Sequence, residues 1–215
     1  MTPNARRLEP GSKTDVARPT CAWSLATAAI YAATVPFAKA GKQTMLVLTK
    51  TPQGTSGALV PLTIVKDSGL PHVGERMPAF ATETVADAGG DESKVDTRVP
   101  SAPELHQRHL KDVLGKKPVA LLIATPQLCQ SRVCGPVVDI ELQMKAEFGD
   151  KLEFIHQEVY KDNEVAKGLR APLLQLHLET EPWLFTIKRD GTIAARVEGS
   201  FGVDAFRKAV QAALR

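Results

Sequence analysis

Two cysteines separated by four residues, Cys129 and Cys134, are the side chains of this sequence best suited to covalent chemistry. Thiol–disulfide exchange needs a thiolate nucleophile, a second thiol to resolve the mixed disulfide, and an open face for the partner. The segment TPQLCQSRVCGP (125–136) follows an apolar run and leads into a helical pattern. A helix N-terminus favours thiolate over thiol through its unpaired N–H groups and its dipole. Arg132 adds positive charge between the sulfurs, and Pro136 suits a first helical turn, where no donor is missed. Two cysteines five apart cannot bond on a regular helix, but can if Cys129 lies in the loop and Cys134 opens the helix. Three other readings compete: buried thiols without chemistry, a static disulfide, and a zinc site. Zinc is disfavoured because only His156 and His177 accompany the pair, and neither has finger spacing.

The elements that must position this pair follow in order. Ser101 and Glu104 have capping-box spacing, with Pro103 in the first turn, and predict a helix through Leu105, Leu110 and Val113 that stops at Gly115. VALLIA (119–124) is an unbroken apolar run, as in a strand buried on both faces. Helix is expected from Gly135 to Phe148, strand from Leu152 to Tyr160, and a short helix from Asn163 to Leu169. WLFTIKR (183–189) and TIAARVE (192–198) flank Asp190-Gly191 as a hairpin. The last helix, 203–214, carries Val203, Phe206, Val210 and Leu214 on one face. This succession gives a small α/β sandwich, its central strands parallel and an antiparallel pair at one side.

Upstream the signals are weaker. Residues 1–30 are a disordered or targeting segment. The uncharged stretch 22–38 follows Arg6, Arg7, Lys13 and Arg18 and resembles a signal-peptide core, although Glu9, Asp15 and Pro36 speak against it. The other reading starts a strand over 31–38. With QTMLVLT (43–49), a TPQG turn and ALVPLTIVK (58–66), residues 31–66 form a partial β segment of two or three strands. That is too small a sheet to bury both faces, so it packs on the downstream domain, pairs with another chain, or belongs to a larger β domain. Residues 67–102 comprise a linker, a short edge strand in VGERMPAF (73–80) and an acidic surface loop over 82–98; residues 103–215 are the main domain.

The bulk numbers exclude some classes. With 215 residues, 43% of them hydrophobic, the chain has material for a core without disulfide or metal staples. Its net charge is only +3 and 5% of its residues are aromatic, without a basic stripe, so nucleic acid is not an expected partner. Three cysteines are too few for a disulfide scaffold, and Cys21 stands alone.

Residues 103–215, or from Val73 if VGERMPAF is included, resemble the thioredoxin superfamily. The resemblance is carried by a strand ending at Ala124 before Cys134-Gly135-Pro136, by Glu181-Pro182-Trp183, and by the closing hairpin and helix. VGERMPAF is similar to the opening segment of peroxiredoxins and membrane-anchored thioredoxin-like proteins. The resemblance implies a thioredoxin-like three-layer sandwich preceded by the small β segment, and a cis peptide before Pro182 beside the sulfurs. The family's usual Cys-Gly-Pro-Cys departs here to Cys134-Gly135-Pro136-Val137, with Cys129 upstream. One register makes Cys134 the nucleophile; the other makes Cys129 the nucleophile and Cys134 the resolving thiol.

The implied activity is thiol–disulfide exchange on protein thiols and disulfides, with an unidentified electron donor or acceptor and no cofactor beyond the redox-active disulfide. Cys129, Cys134 and Pro182 would carry it, with Gly135, Pro136, Arg132, Thr125, Glu181 and Trp183 in support. Two alternatives share the fold. A peroxiredoxin-like peroxidase would use Arg132 and Thr125 beside the thiolate. A copper-binding or copper-delivery protein would use Cys129, Cys134 and His156, or His177, since soft thiolates suit Cu(I). His106 and His109 are expected on the exposed part of a helix. An extracytoplasmic or membrane-associated setting is favoured over the cytoplasm.

Overall fold

The computed structural model of the chain describes residues 35–129 and 133–215. It divides into two compact units between Gly69 and Leu70. In the first, β1 (Gly41–Thr51) and β2 (Gly54–Ile64) pair antiparallel along their whole length, from Gly41 opposite Ile64 to Thr51 opposite Gly54. The Thr51 hydroxyl donates to Gly54 O and accepts from Gln53 N, which closes the turn. Leu46, Leu48 and Leu59 are exposed. The third strand expected over 31–38 is not formed where it is described: residues 35–38 are irregular, and Pro36 has no N–H to give a ladder. Residues 31–34 and the segment 1–30 lie outside the described residues.

The second unit holds one sheet of four strands: β3 (Val119–Ile123), β4 (Glu153–Gln157), β5 (Trp183–Ile187) and β6 (Ile193–Glu198). Their order is β4-β3-β5-β6, with β3 parallel to β4 and antiparallel to β5, and β5 antiparallel to β6. Four helices accompany them: α1 (Leu110–Val113), α2 (Cys134–Phe148), α3 (Ala171–Gln175) and α4 (Val203–Ala213). Because strand side chains alternate, β3 feeds two cores. Ala120 and Leu122 join Val137, Val138 and Met144 of α2 and Phe206 and Val210 of α4. Val119, Leu121 and Ile123 join Leu110 of α1 and Leu173 of α3 on the other side. Every residue of β3 is fully buried, as its uninterrupted apolar run requires. Two helical layers enclose the sheet, and the unit has the thioredoxin-like three-layer fold.

Local departures from the sequence reading have physical causes. The helix expected from Ser101 to Gly115 is broken into a 3-10 turn (Pro103–Leu105) and α1. Ser101 bonds the side chain of Glu92 instead of capping, and Ala102 N donates to Asp96 Oδ2 at 2.7 Å. The helix expected over 163–169 is two 3-10 turns, Lys161–Asn163 and Val165–Lys167, separated where Glu164 is extended, at φ -124° and ψ 117°; α3 follows unanticipated. Asp190-Gly191 does not form a two-residue turn. Lys188 N donates to Thr192 O and Gly191 N to Lys188 O, a three-residue loop with Gly191 at φ 88°, the position glycine tolerates best. VGERMPAF makes only a single bridge, Arg76 with Thr192, while Met77 and Phe80 are buried. The stretch 82–98, expected as a surface loop, buries Thr82, Thr84, Val95, Asp96 and Thr97. Among the described residues, no helix is long and apolar enough to cross a membrane.

Candidate functional site

The cysteine site forms where β3 ends and α2 begins. Ala124 N still bonds Gln157 O, so the chain leaves the sheet only at Thr125. Cys129 lies in the loop and Cys134 is the first residue of α2, with Gly135 and Pro136 completing the first turn. Both cysteines are thiols, with no disulfide between them. Their sulfurs and a carboxylate oxygen of Glu181 all lie within 4.8 Å of one another. Glu181 is half-buried; it precedes Pro182 through a cis peptide, and Pro182 and Trp183 are buried. Trp183 donates its indole N–H to Thr180 Oγ1 at 3.1 Å and stacks on Phe185, so it is a core side chain.

The two thiols differ in environment. Cys134 is fully buried, whereas Cys129 keeps 9% of its surface. Burial pushes the Cys134 thiol far up, and contact with Cys129 and the charge of Glu181 add to this; the Thr125 backbone N–H opposes it without prevailing. The helix N-terminus therefore does not make Cys134 a ready thiolate, contrary to the expectation from sequence. Burial also raises the Glu181 carboxyl, and its hydrogen bond with Cys129 lowers it. Tyr160 lies close enough that, after burial, the charges of Glu181, Cys129 and Cys134 raise its hydroxyl.

Beneath the loop lies a polar interior that sequence reasoning missed. Glu158 is fully buried, and its Oε1 accepts from both Thr97 N and Thr97 Oγ1 at 2.7 Å. Thr97 Oγ1 also accepts from Gln127 N at 3.2 Å, which links Glu158 to the cysteine loop. Burial raises the Glu158 carboxyl to about 7 against the lowering effect of the Thr97 and Thr125 contacts. Thr125 Oγ1 is buried outside hydrogen-bond geometry; Thr125 offers Cys134 its backbone rather than its hydroxyl.

His156 is on β4, but its ring does not join the cysteines. Its Nε2 donates to Ala124 O at 3.0 Å and its Nδ1 is 3.2 Å from His106 Nε2. Burial and His106 lower its pKa to about 4, although Asp96 and the Ala124 carbonyl pull the other way. His106 is 1% exposed rather than solvated. His177 is exposed, with φ 55°. The group beside the sulfurs is thus Glu181, a hard oxygen donor poorly matched to Cu(I). Arg132 lies outside the described residues. Two of the missed residues had a signal: Glu141 falls in the apolar stripe Val137, Val138, Met144 at helical spacing, and Glu158 shares a strand face with Phe154.

No protein-family model matches this chain, and no curated protein does. Solved structures resemble it. A provisionally assigned thiol:disulfide interchange protein DsbE of Chlorobium tepidum is 18% identical, with 67% of this chain and 99% of that one covered and a TM-score of 0.47. A thioredoxin-family thiol:disulfide interchange protein from the same organism is 13% identical, with 67% and 99% covered and a TM-score of 0.44. The exposed lipoprotein thioredoxin of Streptococcus pneumoniae is 13% identical, with 62% and 98% covered and a TM-score of 0.40.

Proposed function

We propose that this protein is a thiol–disulfide oxidoreductase that cycles Cys129 and Cys134 between dithiol and disulfide. The observation that carries the reading is the approach of both sulfurs and the Glu181 carboxylate to within 4.8 Å at the start of α2. Cys129, the more exposed thiol, is the nucleophile. Glu181 accepts its proton, and the Cys129 sulfur attacks a substrate disulfide. A mixed disulfide forms and one substrate sulfur leaves as a thiol. Glu181, having given its proton to that leaving sulfur, accepts the proton of buried Cys134, whose sulfur attacks the Cys129 sulfur. This closes the intramolecular disulfide and frees the second substrate thiol, so two electrons pass from protein to substrate. Run backwards, with a substrate dithiol as electron donor, the same steps oxidise the partner. Pro182, joined to Glu181 by a cis peptide, shapes the groove for the substrate backbone. The substrate is a protein disulfide or dithiol, and no organic cofactor takes part. An extracytoplasmic or membrane-associated setting belongs to this reading through the family resemblance.

The test is reduction of a protein disulfide by the dithiol form of the full chain, compared with Cys129→Ser and Cys134→Ser. Wild type should turn over and both variants should not; equal activity in all three ends the proposal. Equilibration of the pair against glutathione buffers then gives its reduction potential, which separates a reductant from an oxidant.

A further inference from the structure

On the α2 face of β4, three side chains that thiol exchange does not use converge in the interior. Asp96, His106 and His156 are 3%, 1% and 0% exposed, and one donor atom from each lies within 4.8 Å of the others. His106 Nε2 and His156 Nδ1 are 3.2 Å apart, and Asp96 oxygens stand 3.7 Å from the first and 3.8 Å from the second. A hydrogen bond from nitrogen spans about 2.7–3.2 Å, so the carboxylate lies beside both rings without bonding to either. Donor atoms around one tetrahedral zinc ion are about 3.3 Å apart, given metal–ligand bonds near 2.0–2.2 Å. The three separations are close to that arrangement; the two imidazoles are also within hydrogen-bond reach of each other, whereas both Asp96 distances are too long for one.

The surrounding contacts orient the trio as outer contacts orient metal ligands. Ala124 O can only accept, so His156 carries its proton on Nε2 and turns a bare Nδ1 inward. Arg98 N and Ala102 N donate to Asp96 Oδ1 and Oδ2 at 2.8 and 2.7 Å, fixing the plane of the carboxylate. Without an ion, His106 places its proton on Nε2 and donates it to His156 Nδ1, while among the described residues its buried Nδ1 has no partner with or without an ion. Glu141 of α2 gives a second, independent sign. It is fully buried, neither oxygen has a hydrogen-bond partner, and the charge of Asp96 reaches it. Its oxygens are not among the atoms grouped within 4.8 Å, so a side-chain rotation would be needed to bring it to the ion.

The geometry points to a structural site for a divalent ion of the zinc class, held by Asp96, His106 and His156 and completed by Glu141. Two imidazoles and two carboxylates offset the charge of a dication. The burial of every ligand leaves no open position for substrate, which separates this site from a catalytic one. Binding shifts the His106 proton from Nε2 to Nδ1. The ion would tie Asp96 and His106 to β4 below Ala124, where the chain turns toward Cys129. This inference is independent of the thiol chemistry.

Cys129, Cys134 and Glu181 could themselves take up metal, so the test removes the thiols. The full chain carrying Cys129→Ser and Cys134→Ser is stripped with chelator, then titrated with Zn²⁺ by calorimetry and with Co²⁺ by visible absorption. One Zn²⁺ per chain and a Co²⁺ spectrum of nitrogen and oxygen donors are expected. His156→Gln in the same background should weaken binding by at least about tenfold. Absence of uptake overturns the proposal, as does uptake that His156→Gln and Asp96→Asn both leave unchanged. If those variants fail to fold, X-ray absorption of the zinc-loaded thiol-free chain decides: two imidazoles in the coordination shell support the site, and fewer overturn it.

Discussion

The carboxylate of Glu181, the residue just before Pro182, meets the sulfur of Cys129, and the hydrogen bond between them bears on the carboxyl's protonation. Burial drives the carboxyl to hold its proton, while the thiol's hydrogen bond drives it to stay ionised. A carboxylate poised in this way can take the thiol proton as the sulfur attacks. Glu181→Gln keeps the shape and removes the acceptor. The rate of disulfide reduction at neutral pH should fall tenfold or more, at or below the ~10²–10⁴ typical of a general base. Stopped-flow reduction of a model disulfide measures this, and an unchanged rate would take Glu181 out of the chemistry.

The unequal thiols predict unequal labelling. In the native dithiol protein, iodoacetamide should modify Cys129 at least about tenfold faster than Cys134, because thiolate and access are both needed. Cys134→Ser should accumulate a mixed disulfide at Cys129, visible by mass spectrometry. Preferential labelling of Cys134 would reverse the assigned roles.

Glu158 predicts a stability slope with pH. Its pKa is raised to about 7 from an ordinary 4.5, so the folded chain holds this proton more tightly than the unfolded one. The resulting stability is complete below pH 4.5 and is lost as pH rises through about 7. The loss is on the order of 3 kcal/mol. His156, lowered to about 4 from 6.5, works oppositely: its contribution is complete above pH 6.5 and lost as pH falls through about 4. Above about pH 6.5 the His156 contribution is flat, and the raised Glu141 carboxyl contributes to wild type and variant alike, so the difference between the two profiles reports Glu158. Urea unfolding of Glu158→Gln from about pH 6.5 to about pH 8 should show a flatter profile than wild type; parallel profiles would contradict the raised carboxyl.

Leu122 lies near the end of β3, fully buried against α2 and α4. Leu122→Ala should cost about 2–5 kcal/mol, read as a lower urea midpoint at unchanged m-value. A cost below about 1 kcal/mol would mean that this core collapses around the cavity.

The repeating part of the fold was readable because periodicity and burial coincide there. VALLIA became a strand buried on both faces, and the 203–213 helix turned Phe206 and Val210 inward. That Cys129 and Cys134 would meet could be read from residue type and spacing; the half-buried place of Glu181 beside them, which the sequence alone reads as a solvated carboxylate, could not. Asp96 and Thr97 were not readable, and Glu158 showed only its strand face and not its partner, because a buried polar residue owes its partner to contacts far along the chain. Glu158 bonds Thr97 across 61 positions. The 82–98 stretch is acidic and without period, which reads as a solvated loop until the partners of its side chains are known. His106 was misread because the helix that would have exposed it breaks at Leu105.

The Thr97–Glu158 hydrogen bonds bear on how the protein can be cut. A fragment started at Pro103, where the helix–strand rhythm becomes evident, would strip Glu158 of both its donors and Gln127 N of its acceptor. It would also lose Met77 and Phe80 from the core. Trimming for expression should keep the chain from Leu70 onward, since what precedes the rhythm is the floor on which the sulfur-bearing loop rests.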